Sequence, residues 1–230
     1  MRIVTSFGPA RVHRQQKCLA SWIAAGYSVI GIQSPGESES LQPSFPAAEL
    51  IETPLVGDLF NRPKLVRVRA LLDQAQTESV LILNSDIEID LKFGDFQKFW
   101  ASSEPNELKC GVRWDVHPKS RMRKLFKWGI DAFLITPQIA ELLPDVGMTI
   151  GCPAWDYWIP WHLNKQGFKI TTSKNASLLH ELHDRAWSKH EYEAGLRIFS
   201  ETYGVGQHEL AVWVQKVTDR TRTQNWRPRL

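Results

Sequence analysis

A short apolar run, Val80-Leu81-Ile82-Leu83, breaks off in Asn84-Ser85-Asp86-Ile87-Glu88. In extended backbone, residues two apart point to the same side, so Asp86 and Glu88 can address one ion or one ligand. An oxygen-only donor set of this kind suits Mg²⁺ or Mn²⁺ bridging to the diphosphate of a nucleotide. Acidic residues also end ordinary strands that turn into solvent, so the pair alone does not decide. Farther on, His180-Glu181-Leu182-His183 sets two histidines three apart. That spacing shares one face of a helix and invites a metal reading of its own, although single histidines more often pack or hydrogen-bond.

These residues need elements to position them. Ile3 to Phe7 reads as a strand ending at Gly8-Pro9, Val12 to Ala25 as a helix closed by Gly26, and Ser28 to Ile32 as a second strand. Together they open a β-α-β unit. Gln33 to Phe45 is a Ser-, Pro- and Gly-rich loop. Lys64 to Ala75 is predicted helical, with Leu65, Val68, Leu72 and Ala75 on one face. The run Ser79 to Asn84 has the unbroken apolarity of a strand buried on both faces of a parallel sheet. A helix at Asp95 to Trp100, a strand at Lys109 to Val116, a basic stretch, a strand at Ile130 to Thr136 and a short helix begun by Pro137 follow. The alternation predicts a three-layer α/β/α domain over residues 1–190 with a mostly parallel sheet, and a C-terminal helical, basic extension over 191–230 packed on it. Ligands of open α/β sheets bind beyond the carboxyl ends of the strands, where Asp86 and Glu88 fall.

The segment Leu81-Ile82-Leu83-Asn84-Ser85-Asp86-Ile87-Glu88 resembles the Asp-x-Asp region of type A (GT-A) glycosyltransferases, with Glu88 replacing the usual final Asp. The resemblance implies a Rossmann-like nucleotide-binding half, and Asn84, Ser85 and Asp86 at the donor. Gly129-Ile130-Asp131-Ala132-Phe133 is similar to the family segment beside the donor sugar, which makes Asp131 the sugar-binding candidate. Gly151-Cys152-Pro153-Ala154-Trp155-Asp156-Tyr157-Trp158 resembles the later motif beneath the acceptor, which makes Asp156 the candidate catalytic base. His180 matches the late histidine that completes the metal site with Asp86 and Glu88, and Mn²⁺ or Mg²⁺ is the implied ion. Asp184-Arg185-Ala186-Trp187-Ser188-Lys189 resembles the segment that closes over the diphosphate, bringing in Arg185, Trp187 and Lys189. Thr5, Phe7 and Arg11 fall where the family holds base and ribose, and Lys64 and Arg67 could approach from the neighbouring helix.

The resemblance implies transfer of a sugar from a nucleotide-sugar, UDP-glucose being the commonest donor, to a glycan or other hydroxyl acceptor. An ion on the diphosphate would neutralise the leaving group, and Asp156 would take the proton of the attacking hydroxyl. Trp155 and Trp158 are candidates to stack on an acceptor sugar, although large aromatics also dominate ordinary cores. Two rival readings share the fold. A sugar nucleotidyltransferase usually carries a Gly-rich loop after the first strand, where this chain has Ser6-Phe7-Gly8-Pro9-Ala10-Arg11. A non-catalytic nucleotide-sugar-binding protein would bind donor without turnover.

Composition narrows the class further. The 230 residues carry a formal net charge of +3, concentrated in Lys119 to Lys127 and in the tail from Lys216 to Arg229. The tail allows peripheral contact with a membrane surface, but Asn225-Trp226-Arg227-Pro228-Arg229 is too brief a run to support nucleic-acid binding. The three cysteines lack metal-site spacing and read as reduced thiols. With no signal-peptide pattern at Met1 to Phe7 and no apolar run of bilayer length, a cytoplasmic protein is expected.

Overall fold

The computed structural model describes residues 1–57, 65–92, 96–173, 177–183, 188–206, 208–210 and 212–213, with Lys127 and Trp128 as backbone only. The chain begins β1 (Arg2–Thr5), α1 (Val12–Ala24), β2 (Ser28–Gln33), α2 (Ser38–Leu41) and β3 (Glu49–Glu52). A small ribbon, β4 (Val56–Gly57) with β5 (Leu65–Val66), precedes α3 (Val68–Leu72), β6 (Val80–Leu83), β7 (Ile87–Ile89) and α4 (Phe96–Trp100). The second half runs β8 (Glu107–Val116), β9 (Arg123–Ile135), α5 (Pro137–Leu142), α6 (Trp155–Lys165), β10 (Lys169–Ser173), β11 (Leu178–Glu181) and α7 (Lys189–Tyr203).

The main sheet is ordered β3-β2-β1-β6-β9-β8-β11-β7, with β10 also paired to β8. Pairing is parallel from β3 through β6 and from β8 to β10 and β11, while β9 runs antiparallel to both its neighbours and β7 antiparallel to β11. Strand alternation sends Ile3, Leu81 and Leu83 into a core with Trp22 of α1, and Val4, Val80 and Ile82 into another with Trp158 of α6. A mostly parallel sheet between two helical layers is the α/β architecture that the alternating pattern predicts. Phe199 and Leu196 of α7 join the α6-side core. The three cysteines are buried thiols. Among the described residues, no helix is long and apolar enough to cross a membrane.

Two local expectations are corrected. The helix foreseen over Lys64 to Ala75 begins only at Val68, because Leu65 and Val66 pair with β4 and residues 148–150 claim the backbone: Val68 N donates to Met148 O, and Ile150 N to Val66 O. The basic stretch before Ile130 is strand from Arg123 onward, part of a hairpin in which Asp115 faces Lys124 and Val116 faces Arg123. The β8–β9 ladder slips between Gly111 and Trp114, an irregularity of the kind that re-aims a side chain. Arg113 sits in it.

Helix α7 crosses closely over the approach to α6, and Gly195 makes this possible. A Cβ there would stand 2.2 Å from the Pro153 carbonyl oxygen. Gly195→Ala is therefore expected to destabilise the protein by about 1–3 kcal/mol, seen as a lowered melting temperature, since a backbone atom cannot step aside as a side chain can.

Candidate active site

Strands β6 and β7 turn at Asn84-Ser85-Asp86, and the antiparallel pairing of β7 with β11 sets His180 opposite Ile87. The Asp86 carboxylate thereby meets the end of β11. Its Oδ2 lies 3.3 Å from His180 Nε2 and 3.3 Å from His183 Nε2, and the two imidazole nitrogens are 3.1 Å apart. Burial pushes the Asp86 carboxyl up, but hydrogen bonds from both histidines, with the charges of His180 and Arg113, outweigh it and hold the group well below the usual carboxylate range. Burial of His180 favours its neutral form, and bonds to Asp115 and Asp86 reverse this, raising its affinity for a proton. Arg11, in a left-handed backbone conformation (φ 57°) ahead of α1, brings Nη1 to 3.3 Å from His183 Nε2.

From His180 a chain of polar contacts runs across the sheet. His180 Nδ1 lies 3.1 Å from Asp115 Oδ1, which accepts from Arg113 Nε at 3.1 Å. Arg113 Nη1 donates to Asp131 Oδ1 at 3.2 Å, and Asn84 Nδ2 donates to the same oxygen at 2.7 Å. Asn84 stands two residues before Asp86, so the chain closes into a ring. Arg113 also lies over the Phe126 ring, 4.4 Å from its centroid. Although burial works against its charge, Asp131, Asp115, Asp86 and Asp156 make the guanidinium harder still to deprotonate.

Asp131 is 2% exposed, and its second oxygen, Oδ2, is buried with no hydrogen-bond partner among the described residues. Gly129 keeps the space beside it open, for a Cβ there would come 2.8 Å from Oδ2. A buried carboxylate oxygen of this kind has room for one more donor, such as a water or a ligand hydroxyl. Asp156 lies in the first turn of α6, where the helix N-terminus favours an anion. Burial nonetheless raises its carboxyl to about 7, and the negative charge of Asp131 adds to the rise.

The structure brings Asn84, Asp86, Asp131 and His180 into this ring and sets Arg11 beside His183, but it separates other expected residues from the site. Glu88 turns to Lys17 of α1, 2.6 Å away, and His183 stands in the group where Glu88 was expected. The two histidines meet through strand β11 and the two residues that follow it, not through a shared helix face. Thr5 is fully buried and donates from Oγ1 to Leu83 O at 2.7 Å, tying β1 to β6. Phe7 is stacked on Phe45 with centroids 4.1 Å apart, so its ring is core and not a platform for a base. Arg67 is held by the Val56 carbonyl and Asp145. Trp155 and Trp158 are 3% and 1% exposed, packed on Phe133 and bonded to the Tyr203 hydroxyl, which removes both from any stacking surface. Lys189 projects into solvent beside Glu193. Ser85 is half-buried in the turn. Lys64, Arg185 and Trp187 lie outside the described residues.

Sequence reasoning missed Arg113 and Asp115. Their one signal is the Arg-x-Asp spacing in β8, which in extended backbone puts both on one face.

Asp86, His180 and His183 each offer one ligand atom, all within 4.8 Å of one another. One carboxylate oxygen and two imidazole nitrogens fit a divalent cation, and the Asp115 contact to Nδ1 leaves His180 Nε2 for the ion.

No protein-family model matches the chain, and no curated protein matches it in sequence. Among solved structures, the chain is similar to the inositol-1-phosphate CTP transferase from T. maritima, with a TM-score of 0.51 and 11% identity over 89% of this chain and 97% of that one. At that identity the likeness is one of fold.

The Asp156 shift makes a stability prediction. A carboxyl bound to its proton more tightly in the folded state stabilises the fold below about pH 4, and that contribution is lost as pH rises through about 7. Asp156→Asn removes the penalty. Its advantage over wild type in denaturant unfolding is expected to grow between pH 4 and 7, reach on the order of 4 kcal/mol, and level off above. Parallel stability curves would show that Asp156 is not perturbed.

Proposed function

We propose that the chain is a divalent-metal-dependent glycosyltransferase that moves a sugar from a nucleoside diphosphate to an acceptor hydroxyl. Asp156 carries the reading. A hydroxyl nucleophile needs a base, and a carboxylate raised to about 7 beside Asp131 and Arg113 has the proton affinity for that task near neutral pH. Asp131 Oδ2 accepts a hydroxyl of the donor sugar, while Asn84 and Arg113 hold its other oxygen. Asp86, His180 and His183 hold the ion. When bound, the ion neutralises charge building on the leaving diphosphate. As the acceptor oxygen bonds to the anomeric carbon, the bond from that carbon to the diphosphate breaks, and the acceptor proton passes to Asp156.

Nucleotidyl transfer is the second reading, and the fold likeness to a CTP transferase favours it. Its nucleophile is a phosphate already ionised at neutral pH, and its substrates bring heavy negative charge that calls for cations and free backbone amides. Here the loop after β1 is committed elsewhere. Buried Gln15 accepts from Gly8 N at 2.9 Å and donates to the Gly8 and Ala10 carbonyls. The buried side chains around Arg113 are mostly acidic, an environment that suits sugar hydroxyls better than phosphates.

The two readings separate in one assay. Wild type, Asp86→Ala and Asp156→Asn are offered UDP-, GDP- and CDP-sugars with an acceptor panel and Mn²⁺, and separately CTP with sugar phosphates. Sugar transfer predicts metal-dependent release of nucleoside diphosphate, lost in Asp86→Ala and reduced about 10²–10⁴-fold in Asp156→Asn with donor binding kept. Near-normal turnover by Asp156→Asn removes it as base. Pyrophosphate release from CTP establishes the second reading, and donor binding without turnover identifies a binding protein.

A further inference from the structure

We propose that the tip of the β8–β9 hairpin, with Leu91 and Leu182 beside it, is a docking surface for an anionic lipid bilayer. The proposal concerns where the chain sits and is independent of the reaction assigned to the site.

The tip is a turn held by its own bonds. His117 N donates to Met122 O at 2.9 Å, and Arg121, in the left-handed region (φ 57°), donates from N to His117 O at 2.9 Å. The His117 ring caps the turn, its Nδ1 accepting from Lys119 N at 3.3 Å and from Ser120 N at 3.2 Å. The turn so fixed carries Met122, which at 71% is the most exposed large apolar side chain among the described residues.

Two more apolar side chains are brought to it. Leu182 N donates to Val116 O at 2.9 Å, and Val116 pairs with Arg123, so Leu182, 42% exposed, lies beside the base of the hairpin. Arg123 Nη2 donates to Asp90 Oδ2 at 2.7 Å, which ties the segment carrying Leu91, 47% exposed, to the same base. Single exposed apolar residues are ordinary, but three on segments linked in this way form a surface. Leu182 stands between His180 and His183 in the chain, so that surface borders the ion-binding group.

Charge identifies the occupant. Arg14 and Arg121 both pair with Glu181, and Arg123 pairs with Asp90. Lys92, Lys119 and Lys124 are exposed and have no ion pair among the described residues. Apolar side chains among uncompensated cations match the two parts of a bilayer surface. The apolar groups enter the headgroup layer, while lysine stems lie along it and their ammonium groups meet lipid phosphates. A single-stranded nucleic acid would call for aromatic side chains on which bases stack, and His117-Pro118-Lys119-Ser120-Arg121-Met122 has none of Phe, Trp or Tyr.

The test is sedimentation of the full chain with vesicles of phosphatidylcholine, alone or with about one third phosphatidylserine. Binding is expected to the anionic vesicles and not to the neutral ones, and to weaken as salt is raised. Lys119→Gln combined with Lys124→Gln should weaken it about 25-fold, each cation contributing about fivefold. Met122→Ser should weaken it about 10-fold. Arg227→Gln combined with Arg229→Gln, in the basic tail, should leave the chain on the vesicles. The substituted hairpin side chains are exposed, so these variants should melt as wild type does. A second readout labels Met122→Cys with an environment-sensitive dye, the three native thiols being buried. Its emission should shift to the blue with anionic vesicles only. No preference for anionic vesicles, an unmoved dye, hairpin variants that bind as wild type, or equal affinity for an RNA oligonucleotide overturns the proposal. Each of these results leaves the transferase reading as it stands.

Discussion

The site depends on one cation. Arg113 stands within the electrostatic reach of Asp131, Asp115, Asp86 and Asp156, and bonds directly to the first two. Four carboxylates cannot be gathered at the end of a sheet without compensation, because desolvation and mutual repulsion drive such groups to take up protons. Arginine suits the place better than lysine: its planar fork reaches two carboxylates at once, it stays charged when buried, and it lies over the Phe126 ring. Removing it would leave buried charges unpaired, at a cost on the order of 3–5 kcal/mol. With it, Asp131 and Asp115 are held in fixed orientations, while Asp156, farther along the same field, is left with a high proton affinity.

The fold supplies what the arginine needs. Strands β8 and β9 make a long antiparallel hairpin in an otherwise mostly parallel sheet, and its central slip aims Arg113 toward Asp131 on the neighbouring strand. The same hairpin brings Asp115 to β11, whose end carries His180. On the other side β9 pairs with β6, so Asp131 lies near Asn84 and the turn into Asp86. Three strands thus meet in one ring of hydrogen bonds, and a shift in any of them would be felt at the ion-binding group and at the unpartnered oxygen of Asp131. Gln15 and Thr5 work outside the ring, fixing the loop after β1 and the ends of β1 and β6.

Much of the frame was legible because it is written in periodicity. The unbroken apolarity of Val80 to Leu83 marked a central strand, and the helix and strand on either side of Gly167 follow from its break in the pattern, where φ is 86°. Asp86 could be found because it ends that strand. Partners contributed by distant strands were harder to read. Arg113 and Asp115 look like ordinary surface charges until β9 and β11 are placed beside them. The pairing of Glu88 with Lys17 could not be read, because a two-residue spacing says which side a carboxylate faces and nothing about a lysine arriving from α1. Phe7, Trp155 and Trp158 show the same limit for aromatics: a ring near a site in sequence is taken into the core wherever two layers close over it.

On the proposed reading, the Asp86–His180–His183 group would hold the ion, Asp131 would face the sugar and Asp156 would take the proton, three places joined by one arginine. The most direct test of that arrangement is a crystal structure of the chain with Mn²⁺ and the nucleotide-sugar it binds, with the ion located by anomalous scattering. The account predicts the anomalous peak among Asp86, His180 and His183, the diphosphate on the ion, and a sugar hydroxyl donating to Asp131 Oδ2. A nucleotide-sugar bound away from this ring, or a peak on Glu88 with His183 turned aside, would contradict it.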